Sequence, residues 1–405
     1  MILLSHPTAN QNVRQTALAF ADAGLLREFW TCVNWKREGF LDRLLSSNPR
    51  VQREVRRRSF ASELQPFLRT SSAREWTRLI LSQLGVPRPG MFSLDAVYRS
   101  LDRTVARRLT ADGDINAVYA YDDGALETFR VAKKRGIKCI YEHPIVHWRK
   151  VLEIQRAEAE RRPEWAATLV ALRDSDEKLA RKDEDLALAD VIVTPSAFSR
   201  DSLTAAPNVH APIHVIPYGA PAIRESIEHA PHEKLRALFV GALSQAKGLS
   251  YLLEAAALFG DRIELTVIGQ RVSGTMPPQA VLDRHRYLPS LPHEQLLEEM
   301  ARHDVLIFPS LHEGFGLVVL EAMSQGTVPI ATDHSGAPDV IEDGVDGFIV
   351  PIRSAEAIAE KLDLLFRDRQ RLAAMRESAR HKAAAHSWEI CRQRLVALAR
   401  DVIAN

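Results

Sequence analysis

The sequence predicts an α/β protein built on doubly wound parallel sheets, with length enough for two domains. Apolar runs of four or five residues, among them Ala117–Tyr121, Val191–Thr194 and Val305–Phe308, read as strands buried on both faces, and Leu235–Val240 reads as a further strand. A polar or glycine-bearing loop follows each run, and then residues at helical spacing, the alternation that builds parallel sheets. A chain of 405 residues, 46% of them hydrophobic and 26% charged, is long enough to bury two such cores.

Composition excludes several classes. A formal net charge of +1 exerts no global attraction on nucleic acid or an anionic membrane face. Cys32, Cys139 and Cys391 are scattered and odd in number, which points to neither a disulfide framework nor a zinc site and suits a reducing cytoplasm. Nowhere do about 18 apolar residues run together, so no membrane span is predicted. The opening Met-Ile-Leu-Leu-Ser-His-Pro lacks the basic leader and the apolar length of a signal peptide.

In the first half, Met1–Ser5 reads as a strand and about Val13 to Ala23 as a helix closed by Gly24. The loop between them lies at the carboxyl edge of a sheet, where ligands collect in such folds. Five arginines against one glutamate between Arg50 and Arg58 read as a solvated helix face, and such a cluster also suits phosphate or an anionic membrane. Pro87-Arg88-Pro89-Gly90 is a turn or connector. Asp122 and Asp123 follow a strand and precede a helix, so they are assigned as a helix cap. The strand Lys138–Tyr141 runs into Glu142-His143-Pro144-Ile145-Val146-His147, where Pro144 prevents the two histidines from forming a helical ligand pair. Arg149 to Asp185 is charged and helical, interrupted at Pro163, with Trp165 assigned to the core.

In the second half, Leu235–Val240 leads through Gly241 to Gly248 into a helix, Leu249–Leu258. A glycine-bearing loop with one lysine, Lys247, can hold a diphosphate by backbone dipoles and a point charge. Glu264–Gly269 is the next strand, with Arg271 after it as a second cation, and Glu294–Arg302 is a helix. The chain is organised around Pro309 to Val350. Gly314 and Gly316 sit where Val305–Phe308 passes into a helix, Phe315–Met323, so the backbone there can turn sharply and let a ligand approach. Free amides at that helix start favour an anion, and Glu313 and Glu321 bracket it. The junction therefore suits a phosphate held beside hydroxyl-rich groups.

The whole pattern is more specific than the junction. His312-Glu313-Gly314-Phe315-Gly316-Leu317, then Glu321-Ala322-Met323, Gly326, Pro329, Ala331-Thr332-Asp333, Gly336 and Pro338-Asp339-Val340-Ile341, resembles the retaining, nucleotide-sugar-dependent glycosyltransferases of family 4, which include glycogen synthase-like and mannosyltransferase-like enzymes. Their hallmark is a glutamate, seven residues and a second glutamate, here Glu313 and Glu321. The resemblance is strong over roughly Ile192–Glu389 and thinner before it. It implies the GT-B architecture: a Rossmann-like acceptor domain at 1–216 and a Rossmann-like nucleotide-sugar domain at 217–385 that face each other across a deep cleft, with a helix at 386–405 that crosses back.

The resemblance further implies a hexosyltransferase that moves a sugar from a UDP-, GDP- or ADP-sugar to a hydroxyl of a glycan, glycolipid or polysaccharide precursor, with retention and with neither metal nor cofactor. By position, His143 would stand beside the anomeric carbon, with Glu142 and His147 as neighbours; Glu313 would hold the sugar hydroxyls and Lys247 the leaving diphosphate. Gly241, Gly269, Leu288, Gly314, Phe315, Gly316, Leu317 and Glu321 complete the implied donor site. The first loop, often glycine-rich in the family, has no glycine here, so Asn10, Gln11 and Arg14 would meet acceptor or diphosphate by another geometry. Two further departures are Ala242 and Ala246 near Lys247, where relatives carry a basic residue, and Tyr218, where relatives often have Asn. Expected partners are the nucleotide sugar and its acceptor, not nucleic acid, in a cytoplasmic protein with peripheral contact to the inner membrane face as an option. An epimerase of the same architecture and a non-catalytic sugar-nucleotide-binding subunit are the rival readings.

Overall fold

A computed structural model describes residues 1–8, 10–35, 58–71, 73–83, 90–111, 113–226, 232–272 and 283–404. The turn at Pro87–Pro89 and all of the basic cluster except Arg58 lie outside the described residues. Arg58 donates to the buried Glu75 at 3.0 Å, so this one arginine faces an acid of its own domain.

Two parallel sheets form. The first joins β1 (Ile2–Ser5), β2 (Leu26–Thr31), β3 (Leu68–Thr70), β4 (Ala117–Tyr121), β5 (Lys138–Glu142), β6 (Val191–Thr194) and β7 (Ile213–Val215), in the order β3-β2-β1-β4-β5-β6-β7. The second joins β8 (Leu235–Val240), β9 (Ile263–Ile268), β10 (Arg286–Leu288), β11 (Val305–Phe308), β12 (Val328–Thr332) and β13 (Phe348–Val350), in the order β10-β9-β8-β11-β12-β13. In each sheet the order reverses beside the first strand, between β1 and β4 and between β8 and β11. Ligands of doubly wound sheets bind outside the carboxyl ends of strands at such reversals. In β8 and β11 those ends carry Gly241 and the Pro309–Gly316 loop.

The strands predicted from continuous apolar runs form because those runs are buried on both faces, whereas the short β3, β7 and β10 are half-buried or exposed. Val305 to Phe308 are at most 3% exposed, and fully burying such side chains contributes about 1.5–3 kcal/mol each. Alternation divides the run: Val305 and Ile307 enter a core internal to the second domain, and Leu306 and Phe308 enter one continuous with the first. Tyr218, Phe315 and Trp388 carry that shared core across the junction. The chain crosses between domains near Ala220 and returns at His386, and the two crossings are tied by Ala220 N–H donating to the His386 carbonyl at 2.7 Å. The final helix, Trp388–Ala404, packs on the first, Gln11–Asp22.

Three expectations are corrected. Asp122 and Asp123 do not cap the helix Leu126–Lys134; its Glu127 and Thr128 amides donate to Asp102 of the neighbouring helix, each at 2.9 Å. Asp122 instead accepts the Tyr141 hydroxyl at 2.8 Å and pairs with Lys182. Trp165 is half-buried and packs against the second domain's core. The first helix begins at Gln11, two residues ahead of the predicted start.

The charged stretch after Arg149 clasps the two domains. Its first helix, Trp148–Arg161, carries the fully buried Glu158 into the second domain. There Glu158 accepts from Gln245 at 2.7 Å, Tyr251 at 2.9 Å and Arg353 at 2.7 Å. Arg353 takes φ 65, a left-handed conformation that costs a non-glycine residue about 1–2 kcal/mol, which its contact with Glu158 offsets. We expect Glu158→Ala to destabilise the chain by roughly 3 kcal/mol, the lower end for removing one member of a buried ion pair, as read by chemical denaturation. An unchanged midpoint would contradict the clasp.

Candidate active site

The second domain supplies the denser half of the site. Lys247, on the loop after β8, forms an ion pair with Glu313 on the loop after β11, so the two strand ends at the order reversal are joined by opposite charges. Both side chains are about a quarter exposed, at 28% and 25%. Glu313 N–H donates to the His334 carbonyl at 2.9 Å, which fixes its loop against the segment after β12. Gly316 then takes φ 92, a left-handed turn that favours glycine, and starts the helix Leu317–Ser324 with no side-chain cap. Its first-turn amides are therefore free of side-chain acceptors and turn toward this end of the sheet. Phe315 is buried edge-on against Tyr218 at 5.3 Å between ring centres.

Glu321 lies one turn into that helix and is only 8% exposed. Burial pushes its carboxyl above the ordinary range, and His293, with Nδ1 3.6 Å from Oε1, works in the opposite direction. At the carboxyl ends of β8 and β9, Gly241, Ala242, Gly269, Gln270, Ser290 and Leu291 line a concavity of about 390 Å³, with Leu296 of the helix that begins at His293. Leu288 is a β10 residue whose carbonyl accepts the Gly269 N–H at 3.1 Å; the lining comes from Ser290 and Leu291 beyond it.

The first domain faces this half at a backbone contact. A Cβ on Gly314 would stand 2.0 Å from the Pro144 carbonyl oxygen, so only glycine allows the two loops to touch. Ser196 holds the Gly314 carbonyl at 2.5 Å, and Asp339 accepts the Ala197 N–H at 2.9 Å. His143 precedes this contact, 2% exposed, with both ring nitrogens buried and without hydrogen-bond partners among the described residues. Its ring stacks on Tyr141, and Nδ1 lies 3.7 Å from Asp122. Burial opposes ionisation of Asp122, but the Lys182 ammonium and His143 outweigh it and hold the carboxyl far below the usual range.

The other named residues divide. Glu142 turns away from His143 and accepts from Asn12, Tyr119 and Tyr218 at 3.2, 2.7 and 2.7 Å. Burial pushes its carboxyl up, against those hydrogen bonds. His147 is buried against Asp183 at 3.2 Å, and burial lowers it to about 4. Of the first loop, Asn10 is exposed and accepts from Thr8 at 3.2 Å, Gln11 is the first helical residue, and Arg14 lies over the Phe60 ring. Arg271 stands over the Tyr287 ring. Sequence reasoning missed His293 and Lys182, because neither is near Glu321 or Asp122 along the chain. Among the described residues no group of three His, Cys, Asp or Glu side chains is arranged to hold a metal ion.

His312, beside Glu313, faces Gln155 of the first domain at 3.0 Å. Burial lowers it to about 4, with Glu313 opposing and Lys247 assisting. The folded state thus holds this ring neutral, and the stability it contributes is present above the unfolded value of about 6.5 and lost as pH falls toward 4. We expect the His312 proton resonances to stay unshifted from pH 7.5 to 5. Relative to His312→Gln, the native chain should lose on the order of 1–3 kcal/mol between pH 6.5 and 4. Titration near 6.5 would refute the neutral ring.

Comparison with known proteins bears on the same region. Residues 222–382 match the family model of glycosyl transferases group 1. The D-inositol 3-phosphate glycosyltransferase of Corynebacterium urealyticum is 34% identical over 179 residues, 40% of this chain and 42% of the relative. That of Geodermatophilus obscurus is 35% identical over 178 residues, 40% of this chain and 39% of the relative. The matched part thus spans about four tenths of those relatives' length. Similarity of fold extends further: sucrose-phosphate synthase from Thermosynechococcus elongatus superposes with a TM-score of 0.70 at 17% identity, over 100% of this chain and 99% of the other. Anabaena Alr3699/HepE, solved in complex with UDP, gives 0.63 at 15% identity over 99% of each chain. The chain therefore has the GT-B fold, and its second domain carries the sequence pattern of glycosyl transferases group 1.

Proposed function

We propose that the chain is a retaining glycosyltransferase of family 4 that moves a hexose from a nucleotide diphosphate sugar to a hydroxyl acceptor without a metal ion. The observation that carries this reading is the Lys247–Glu313 pair beside the uncapped start of Leu317–Ser324, at the point where strand order reverses. In the donor complex the diphosphate takes Lys247 over from Glu313 and receives the amides of Phe315, Gly316 and Leu317. Glu313, released, accepts hydroxyls of the transferred sugar. Glu321 suits the paired ribose hydroxyls, since a carboxylate accepts two hydrogen bonds well. The base lies in the concavity between Gly241 and Leu291.

Charge develops on the departing diphosphate as the glycosidic bond stretches. Lysine and helix amides set in place beforehand stabilise that charge without reorganising. The acceptor hydroxyl enters on the same face, beside the leaving phosphate, and His143 stands buried behind the opposite wall, in the first domain. In this division 1–216 receives the acceptor, 217–385 holds the donor and 386–405 joins them. The acceptor is a glycan or glycolipid hydroxyl, and phosphorylated polyols belong in the test panel because the relatives' names include one. The protein works in the cytoplasm, with peripheral contact to the inner membrane face as an option.

Binding and slow hydrolysis of UDP-, GDP- and ADP-sugars test the donor site, and the anomeric configuration of the product, read by NMR, tests retention. We expect Glu321→Ala to weaken donor binding about 10- to 100-fold, the effect of losing hydrogen bonds to a charged group. Lys247→Ala should lower kcat by about 10²–10³ with a smaller change in KM. Steady-state constants equal to those of the native chain, in either variant, would remove that residue from the site. Donor binding without turnover on every acceptor would favour the non-catalytic subunit.

A further inference from the structure

The second sheet has a concavity at its other end. Around the amino ends of β8, β9 and β10, a hollow of about 520 Å³ is lined by Lys234, Arg236, Arg284, Arg286 and Arg302, with Glu264 as the single acid among the described residues of the wall. This volume falls in the range of small-molecule sites. Arg286 and Arg302 share Glu299 at 2.8 and 3.1 Å, and Arg236 reaches Glu264 at 3.7 Å. Lys234 and Arg284 have no ion-pair partner among the described residues. Counting Glu264 and Glu299 against the five cations leaves +3 around one hollow, whereas the whole chain carries +1.

The floor is polar and fixed. His303 is 5% exposed, with Nε2 at 2.9 Å from the Thr266 hydroxyl and Nδ1 at 2.6 Å from the Glu299 carbonyl. Cations that only solubilise a surface spread over convex faces. Here they converge on a recess whose low-dielectric walls, Ile263 and Leu265, concentrate their field. Guanidinium groups also present paired donors that match phosphate oxygens.

We propose that this hollow binds a small phosphorylated molecule carrying at least two negative charges, at a site separate from the donor cleft. The same strands serve both ends. Arg236 and Glu264 lie at the amino ends of β8 and β9, and Gly241 and Gly269 just past their carboxyl ends. Strands of this length hold the sites about 15–20 Å apart, so one small ligand cannot occupy both.

The test is calorimetric titration of the full chain with inorganic pyrophosphate at low salt, on the native protein, on Lys234→Glu/Arg284→Glu and on Lys247→Ala. We expect the native chain to take up pyrophosphate in a component that persists in Lys247→Ala and weakens at least tenfold in the double variant. Raised salt should weaken the same component. Both replaced side chains are exposed, and thermal melting checks that the fold is kept; Lys234→Gln/Arg284→Gln gives the same readout if charge reversal disturbs it. Equal pyrophosphate binding by the native chain and the double variant would overturn the proposal. So would loss of the whole signal in Lys247→Ala, which would assign binding to the donor cleft. Sedimentation with phosphatidylserine vesicles, abolished in the double variant while pyrophosphate binds to neither protein, would also overturn it, because the patch would then face a membrane. The inference does not use the donor reading, so failure of the Glu321 and Lys247 tests leaves it standing.

Discussion

The arrangement of the cleft depends on one absent side chain. The Gly314 backbone presses against the Pro144 carbonyl so closely that a methyl group would have to displace one domain from the other. Through this contact the loop that carries Glu313 meets the loop that follows His143. Ser196 and Asp339 hold the approach from both sides, each accepting or donating at a backbone group of the opposite domain. The cleft is thus assembled by main-chain contact, which fixes position more tightly than long side chains reaching across water can.

Around that contact, four carboxylates occupy four environments. Glu313 is partly exposed and neutralised by Lys247. Glu321 is buried, and although His293 at 3.6 Å favours its ionised form, burial prevails and its carboxyl is pushed up. Asp122 is buried too, but Lys182 reverses the effect of burial and keeps it ionised beside His143. Glu142 is saturated by hydroxyl and amide donors and serves the fold. Burial alone would treat these acids alike; the nearest cation or donor separates them.

The junction between domains is also specific in its packing. Tyr218 stacks on Trp388, meets Phe315 edge-on and donates to Glu142, so one side chain touches both chain crossings and the start of the site helix. An asparagine there would leave much of this volume unfilled. On the far side, Glu158 ties the helix Trp148–Arg161 to Gln245, two residues before Lys247. Domain position and the placement of Lys247 therefore share a common support.

By itself the sequence determined the elements. Ala117–Tyr121, Val191–Thr194 and Val305–Phe308 were legible because a strand buried on both faces must be almost wholly apolar. The glycine-bearing junction at 313–317 was legible for a similar reason, since φ 92 at Gly316 demands a residue without Cβ. The tertiary structure alone decided the partners. Asp122 looks like a cap along the chain, but Asp102 takes the helix amides and Lys182, 60 residues on, takes Asp122. His293 near Glu321, Glu158 under Arg353 and the basic hollow beneath β8 and β9 are likewise formed by segments far apart in sequence. Periodicity and backbone preference act over a few neighbouring residues and can be read in order, whereas charge, burial and contact act through space and exist only once the chain has closed on itself.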